Sequence, residues 1–570
     1  MSATSSMIIV DVGSTTTKAL LFESEDGSWC FVERGESPTT VEAPFEDVMI
    51  GVNLALGILE KRSRRRLLDT ATTTAKILTD TFLATSSAGG GLKLVVSGAT
   101  LRHSASAAER AASGAGAVLL AAFGSDDGLS QFTRLEKLRA MRPDMILLAG
   151  GFEGANIISF VVEMCDFIRS LKPRSAFDYQ RQVPVIYAGA SSGAAIIHDL
   201  LGAEFYIKVV PNLKPSHDSE NLEPTREAIH EVFIEHVMAN APGYPSLLQC
   251  VDAPVLPTPA AVGEILTRYA KHLGQNLLAV DIGGATTDVF SVVENRLIRS
   301  VSANVGMSYS IGNVYARAGY EGVERWLEQP MSEAEVLGSV GAKLFNPTTI
   351  PALLSDLMLE QAIAREGLRL AYADHYALAR HQPRSSLFDS GLLVSEDPIE
   401  METYDKIIGS GGVLSNAPTY RQATAMLLDA LEPVGITEVL LDKVFMLPHL
   451  GAFAQLDEIG ALELLQRDCL IPLATVIAPK GAVPHGVPAL SISGRTSEGR
   501  PLEAEVCGGE VIVLPLSETE TAEIRLRPHA GVSWPQATTL RLRGGQVGLV
   551  FDLRGRPLPP LATGDRYHPW

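Results

Sequence analysis

The chain has 570 residues, 46% hydrophobic and 20% charged, with a formal net charge of -19. Such a composition belongs to a folded protein of two to four domains and excludes a disordered chain. The acidic balance, with a pI near 5.2, argues against a nucleic-acid binder, whose affinity would rest on clustered positive charge.

Five cysteines, Cys30, Cys165, Cys250, Cys469 and Cys507, show no CxxC spacing. Neither a disulfide framework nor a zinc or iron–sulfur site is expected, and a reduced cytoplasm fits. Met1 to Ser6 lacks the charged and apolar regions of a signal peptide. The most lipid-like stretch, Ala111 to Phe123, is short and rich in Ala and Gly, so it reads as a buried helix and not a membrane span.

In chain order, the apolar run Met7 to Val10 leads into Asp11-Val12-Gly13-Ser14-Thr15-Thr16-Thr17-Lys18 and out again through Ala19 to Phe22. That is strand, tight Gly/Thr turn, strand. A third apolar run at Trp29 to Val32 follows, then helical periodicity from about Phe45 to Leu68. The basic run Lys61-Arg62-Ser63-Arg64-Arg65-Arg66 reads as the solvated end of that helix, with a docking patch as the alternative.

Leu92 to Gly98 reads as a buried strand and Ala107 to Ala122 as a small-residue helix. Pro143 to Asn156 holds a strand running into Gly150-Gly151, where close strand–helix packing and a binding role both stay open. Val183 to Gly189 is a further strand, and strands separated by helical patterns define an α/β layer structure. Pro224 to Met238 is helical, and the Pro-rich step at Pro257 to Glu264 marks a domain boundary before another helix.

That helix delivers the chain to Asp281-Ile282-Gly283-Gly284-Ala285-Thr286-Thr287-Asp288, flanked by Leu277 to Val280 and Val289 to Val293. It nearly copies the first turn in composition and strand context. Glycine lets backbone N–H groups approach a phosphate, hydroxyls add donors, and an aspartate ending the incoming strand can hold a divalent cation or its waters. Two such turns could close on one nucleotide from opposite sides.

Val301 to Ser310 reads as a turn and helix start, and Met331 to Arg380 as mostly helical. Lys406 to Pro418 gives a strand and the turn Gly409-Ser410-Gly411-Gly412, where a flat base or ribose can lie against bare backbone. Val439 to Leu447 is one more strand, and His449 beyond it reads as structural. From about residue 484 onward, short runs cut by Gly and Pro indicate a β-rich appendage without a visible catalytic constellation.

In order and spacing these segments resemble the two phosphate motifs and the adenosine motif of the actin, sugar-kinase and Hsp70 ATPase superfamily. The wording DVGSTTTKALLFE, ATSSAGGGLKLVVSG, PDMILLAGGFEGAN, VPVIYAG, LPTPAAV, AVDIGGATTDVFSV and IIGSGGV is similar to that of the MutL/GlmL family, accessory proteins of adenosylcobalamin-dependent glutamate mutase. That family is unrelated to the mismatch-repair protein of the same name. The resemblance covers roughly residues 7 to 460.

It implies a two-lobed actin/Hsp70-like (ribonuclease H-like) α/β fold. The expected division is 1–260 for a first ATPase lobe, 261–475 for a second, and 476–570 for the β-rich C-terminal domain. It implies ATP and Mg2+ as cofactors and a mutase subunit as partner, with ATP hydrolysis driving chaperone-like reactivation. Asp11 and Asp281 are expected to organise the metal and the attacking water, with Asp288 as a third catalytic candidate. Lys18 would offset phosphate charge. Gly13, Ser14, Thr15, Thr16, Gly283, Gly284, Thr286 and Thr287 would line the phosphates, and Gly409, Gly411 and Gly412 would face the adenosine.

One departure stands out. The family usually carries an acidic residue just before the glycine of the segment around Gly306, whereas the nearby positions here are Asn304 and Val305, so that segment receives no catalytic role. The alternatives are a small-molecule acid or sugar kinase on the same cleft and an actin-like filament subunit. The missing cluster cysteines disfavour a radical-generating activase.

Overall fold

The computed structural model describes residues 5–560 and 567, except 14–15, 42–44, 70–75, 88–91, 116, 157, 172–181, 218, 234–235, 237–241, 381–399, 530 and 535–538. Two compact units emerge. The described parts of Met1–Ile265 and Pro448–Leu464 form the first, and those of Leu266–Arg380, Asp397–Leu447 and Leu465–Trp570 the second.

In the first unit, β1 (Ser5–Val12) is buried at every position from Met7 onward, as a strand covered on both faces must be. β2 (Thr16–Glu25) returns antiparallel to it, and β3 (Ser28–Pro38) completes the meander. Helix α1 (Val48–Ser63) starts where the Asp47 carboxylate accepts the Met49 N–H at 2.8 Å, satisfying one orphan donor of the first turn. It stops where Arg64 turns left-handed. The basic run is therefore the exposed end of this helix, with Lys61 and Arg62 in its last turn, where cations suit the helix dipole.

β4 (Thr81–Ser86) lies parallel to β1. Next come β5 (Leu92–Gly98), α2 (Ser106–Gly114), β6 (Ala117–Gly124), β7 (Met145–Ala149), β8 (Val185–Tyr187) and β9 (Ile207–Val209). These five strands make an all-parallel sheet in the order β6-β5-β7-β8-β9. The short β10 (Leu256–Pro257) then pairs with β4, giving the first sheet the order β10-β4-β1-β2-β3. Helix α3 (Thr258–Leu273) follows at once.

The sheet of β5 to β9 corrects one expectation. Ala107 to Ala122, read as one helix, and Ala111 to Phe123 with it, split into α2 and the edge strand β6. The apolar octet AVLLAAFG has no helical or alternating period of its own, and short apolar runs of this kind take the form their neighbours offer. Here β5 offers a parallel ladder from Leu92↔Ala117 to Gly98↔Gly124.

The second unit opens with β11 (Leu277–Ile282), β12 (Thr286–Val293) and β13 (Arg296–Ala303), again an antiparallel meander. Three helices follow, α4 (Ile311–Glu324), α5 (Glu333–Phe345) and α6 (Leu354–Arg380). β14 (Lys406–Ser410) runs parallel to β11, and β15 (Gly435–Asp442) parallel to β14. β13-β12-β11-β14-β15 thus repeats, strand for strand and sense for sense, the order β3-β2-β1-β4-β10 of the first unit. β16 (Leu470–Ala478) extends the sheet.

The C-terminal stretch is β-rich: β17 (Pro488–Thr496), β18 (Pro501–Cys507), β19 (Val511–Leu514), β20 (Thr521–Pro528), β21 (Thr539–Arg543) and β22 (Gly548–Asp552). Four of them form a separate sheet, β18-β17-β20-β21. In β20 buried and exposed residues alternate, as on a sheet with one covered face. β22 and β19 instead join the large sheet beyond β16. No described helix is long and apolar enough to cross a membrane, and none of the five cysteines is in a disulfide.

Candidate functional site: two matched hairpin turns

Asp11 and Asp281 occupy equivalent places, each one residue before the end of the first strand of its unit. Each turn closes the same way. The Gly13 N–H donates to Thr16 O at 3.0 Å and the Gly283 N–H to Thr286 O at 2.9 Å. In the ladders Asp11 faces Lys18, and Asp281 faces Asp288. Ser14 and Thr15 lie outside the described residues.

Asp11 is buried, with 4% of its surface exposed. Its Oδ1 accepts the Thr85 hydroxyl at 2.8 Å and the Thr258 hydroxyl at 2.6 Å. Thr85 arrives on β4, in register with Asp11, and Thr258 opens α3. Two charge-assisted hydrogen bonds fix the carboxylate and keep its buried charge satisfied. Next to it, Ser86 and Tyr244 share a hydrogen bond. Burial pushes the Tyr244 phenol up, and the Asp11 charge pushes the same way. Across the turn, the Thr39 hydroxyl donates to Gly13 O at 2.7 Å.

In the second unit the turn is braced from outside the hairpin. Met307 N donates to Gly283 O at 2.9 Å and Ser308 N to Gly284 O at 2.8 Å. A Cβ on Gly306 would stand 2.6 Å from Ala285 C, closer than atoms pack, so only glycine fits there. Val305, just before that glycine, is fully buried in the unit's core. The segment that received no catalytic role is thus the floor of the turn.

Two expected site residues, the phosphate-lining Thr287 and the catalytic candidate Asp288, have partners within the unit. Thr287 is fully buried and its hydroxyl donates to Val305 O at 2.8 Å, so it braces that floor and leaves Thr286 as the partly exposed hydroxyl. Asp288 is paired, with Arg299 Nε donating to its Oδ1 at 3.1 Å.

β14 brings the third glycine turn to the same edge of the sheet, with Gly409 in register with Val280 and Ser410 with Asp281. Gly411 sits at φ 110°, and a Cβ there would lie 2.3 Å from Ile282 O. The bare backbone of Gly411 and Gly412 therefore adjoins the Asp281 turn by necessity. Elsewhere, Gly150 and Gly151 follow directly on β7. A Cβ on Gly150 would stand 2.7 Å from the Phe160 ring, so close packing accounts for that glycine. His449 is buried, with Nε2 3.4 Å from Lys18 O.

Sequence reasoning did not assign Thr85, Thr258, Tyr244, Arg299 or the floor at Asn304 to Ser308. The first two carried a signal, because each is a hydroxyl beside a strand end that a central aspartate can reach.

A three-strand meander continued by two parallel strands, present twice and carrying an Asp–Gly hairpin turn both times, defines a protein of the actin, sugar-kinase and Hsp70 superfamily. The model of the family described as MutL protein matches residues 7–469, and the chain belongs to that family. Protein MutL of Clostridium tetanomorphum is 26% identical over 480 residues, covering 79% of this chain and 96% of that protein. Among solved structures, a gluconate kinase from Lactobacillus acidophilus aligns over 81% of this chain and 92% of its own, at 9% identity and a TM-score of 0.32. A glycerol dehydratase reactivase aligns over 74% and 94%, at 11% identity and 0.28. Overlaps this loose carry no weight beside the strand ladders themselves.

Proposed function

We propose that this protein binds and hydrolyses ATP with Mg2+ at its hairpin turns, and that it serves in the cytoplasm as a reactivating accessory protein of an adenosylcobalamin-dependent mutase such as glutamate mutase. The observation that carries the reading is the repetition of one strand order, one register and one turn bond around Asp11 and Asp281.

The donors fit the cofactor. Around Asp11 they are a carboxylate and hydroxyls, hard oxygen ligands of the kind Mg2+ takes. Among the described residues no cluster of three or more His, Cys, Asp or Glu could hold a metal. Mg2+ asks for less, since one or two carboxylates with phosphate and water complete its shell.

Mg-ATP supplies the phosphoanhydride to be cleaved. Asp11 and Asp281 are the residues that would hold the cation and orient the attacking water, Asp11 with its rotamer fixed by Thr85 and Thr258. Lys18 offsets phosphate charge, the turn backbones of Gly13, Gly283 and Gly284 approach the oxygens, and the Thr16 and Thr286 hydroxyls add donors. Asp288 sets the charge opposite Asp281 through its tie to Arg299. Exposed Gly412 would leave bare backbone for a base or ribose, while Gly409 and Gly411 are buried and let β14 pack against Leu427, Leu414 and Ile282. A nucleotide-dependent change in shape would then be coupled to the grip on the mutase.

The test is calorimetric titration of the purified chain with Mg-ATP, alongside folded Asp11→Asn and Asp281→Asn variants. Binding by the wild type, with hydrolysis lost or affinity reduced at least tenfold in the variants, is expected. Unchanged affinity and turnover in both variants would remove the reading. Capture of a cobalamin-binding subunit from the native host, with and without ATP, tests the partner.

A further inference from the structure

The all-parallel sheet of the first unit has no part in the proposed ATP chemistry. Its strands stand in the order β6-β5-β7-β8-β9, so the second in the chain lies on one side of the first and the other three on the opposite side. The connections leaving the neighbours β5 and β7 go to opposite faces. α2 packs Ala107, Ala108 and Ala112 with Met145, Leu147 and Ala149 of β7. The helix Ile158–Leu171 packs Val161, Met164 and Cys165 with Ile146 and Leu148, on the other face. In a sheet wound this way the two outgoing chains part at the carboxyl ends of the strands, and ligands bind in the crevice between them. Here that point lies between β5 and β7, paired from Leu94↔Met145 to Gly98↔Ala149.

Three aromatic rings gather there. His103 comes from the wide helical turn Leu101–Ala105 after β5, Phe152 from the loop after β7, where Gly151 turns at φ 69°, and His217 from the loop after β9. Ring centroids lie 5.2 Å apart for His103 and His217, 6.2 Å for His103 and Phe152, and 6.3 Å for Phe152 and His217. The loops are fastened to one another. Glu153 accepts the Ser191 hydroxyl at 2.8 Å and Asn212 Nδ2 at 2.9 Å, and its N–H donates to Pro215 O at 2.9 Å. Glu220, just past His217, pairs with Arg110 of α2 and with Lys214. Loops held this way present their rings with little ordering left to do on binding.

His103 is exposed, and among the described residues no hydrogen bond reaches either nitrogen of its ring. A neutral imidazole is the commonest protein ligand of transition metals. A bare ion takes three or four protein donors, and among the described residues no cluster of three or more His, Cys, Asp or Glu could hold one. A metal bound by His103 must therefore bring its other ligands with it, as the metal of a planar macrocycle does when an axial position is open. Phe152 and the ring of His217 offer such a macrocycle flat, largely apolar neighbours.

We propose that the carboxyl edge of β5 and β7 binds a corrinoid, with His103 as axial ligand of its cobalt and Phe152 and His217 against the macrocycle. The imidazole lone pair takes the place of the cobalt-bound water, which leaves, and the oxidation state of the metal is unchanged. The choice of a corrinoid over a haem rests on the proposed service to a cobalamin-dependent mutase. A protein that relieves such an enzyme of damaged cofactor gains by holding the corrinoid itself, because exchange then runs from site to site without release.

Absorption titration of the purified full chain with aquocobalamin tests this. One equivalent should bind, and the near-ultraviolet and visible bands should move from those of the aquo form to those of an imidazole adduct. His103→Ala should abolish the band shift and weaken binding at least tenfold, whereas Phe152→Ala should weaken binding and keep the shift. Binding without a band shift, a shift unchanged in His103→Ala because scattered surface histidines produce it, or uptake of ferric haem in preference to aquocobalamin would each overturn the proposal. ATP affinity of His103→Ala should equal that of the wild type. A chain that gives the shift and binds no nucleotide would sink only the reading of the hairpin turns, and nucleotide binding without the shift would sink only the corrinoid site.

Discussion

Asp281 and Asp288 stand directly opposite each other across the β11–β12 ladder, where the first unit places Asp11 opposite Lys18. Facing carboxylates repel, and Arg299, with 5% of its side chain exposed, relieves the repulsion by pairing with Asp288. Replacing Arg299 with Leu should therefore destabilise the fold by about 2–4 kcal/mol, because it leaves a largely buried carboxylate unpaired. Adding Asp288→Asn to that variant should restore most of the loss in urea denaturation. A double variant as unstable as the single one would show that Arg299 acts through packing instead.

The Asp11 carboxylate depends on two hydroxyls that sequence alone did not single out. Thr258→Val keeps shape and removes one charge-assisted bond, which should cost about 1.5–3 kcal/mol. Thr85→Val should cost a similar amount. The two together should be less than additive, since both bond the same oxygen. Thermal denaturation of the four proteins decides it.

Gly306 and Gly411 each leave room for backbone of the Asp281 hairpin. Alanine at either should cost at least about 1–3 kcal/mol through forced backbone shifts, with the added strain of positive φ at Gly411. Amide hydrogen exchange should show the loss concentrated at Ile282 to Thr286. Uniform loosening of the whole second unit would argue against that contact.

His375 on α6 is buried between Ser291 and Ser300, at 2.9 and 2.8 Å from its ring nitrogens. Burial lowers its pKa from 6.5 to about 4. The unfolded chain takes up this proton first, so stability is unaffected above pH 6.5 and falls as pH drops from there toward 4. The loss is about 3 kcal/mol when complete. His375→Gln should flatten that part of the stability profile in urea titrations between pH 7.5 and 4.5.

Asp552 ends β22 within reach of Arg554 and Arg556, at 2.7 and 2.6 Å. Burial alone would raise its pKa, but the Arg556 and Arg554 guanidinium groups hold its carboxyl well below the usual range. Asp552→Asn should cost about 3–5 kcal/mol by stranding the buried Arg556 and leaving Arg554 only Asp429, read as a lower denaturation midpoint.

Much of the site could be read from the chain because its hairpin turns are local. Asp11, Gly13, Asp281 and Gly283 sit within a few residues of the strands that place them, and apolar flanks reveal those strands. What escaped was non-local. Thr85, Thr258 and Arg299 reach the aspartates through strand pairing and packing that no local pattern encodes. β6 was misjudged for the same reason, since its ladder partner, β5, ends 19 residues upstream of Ala117. The burial of Thr287 depended on the position of Val305, which only the folded turn reveals.

The family match ends at residue 469, yet β22 pairs with β16 from Ala474↔Gly548 to Ile477↔Phe551. Cutting the chain after β16 would expose a row of unsatisfied amides and carbonyls along Val476 and Ile477, an invitation to strand-by-strand aggregation. For expression and engineering, the last hundred or so residues behave as a built-in cover for that border. A shortened version would need a substitute there, such as lysines or a proline on β16, to stay in solution.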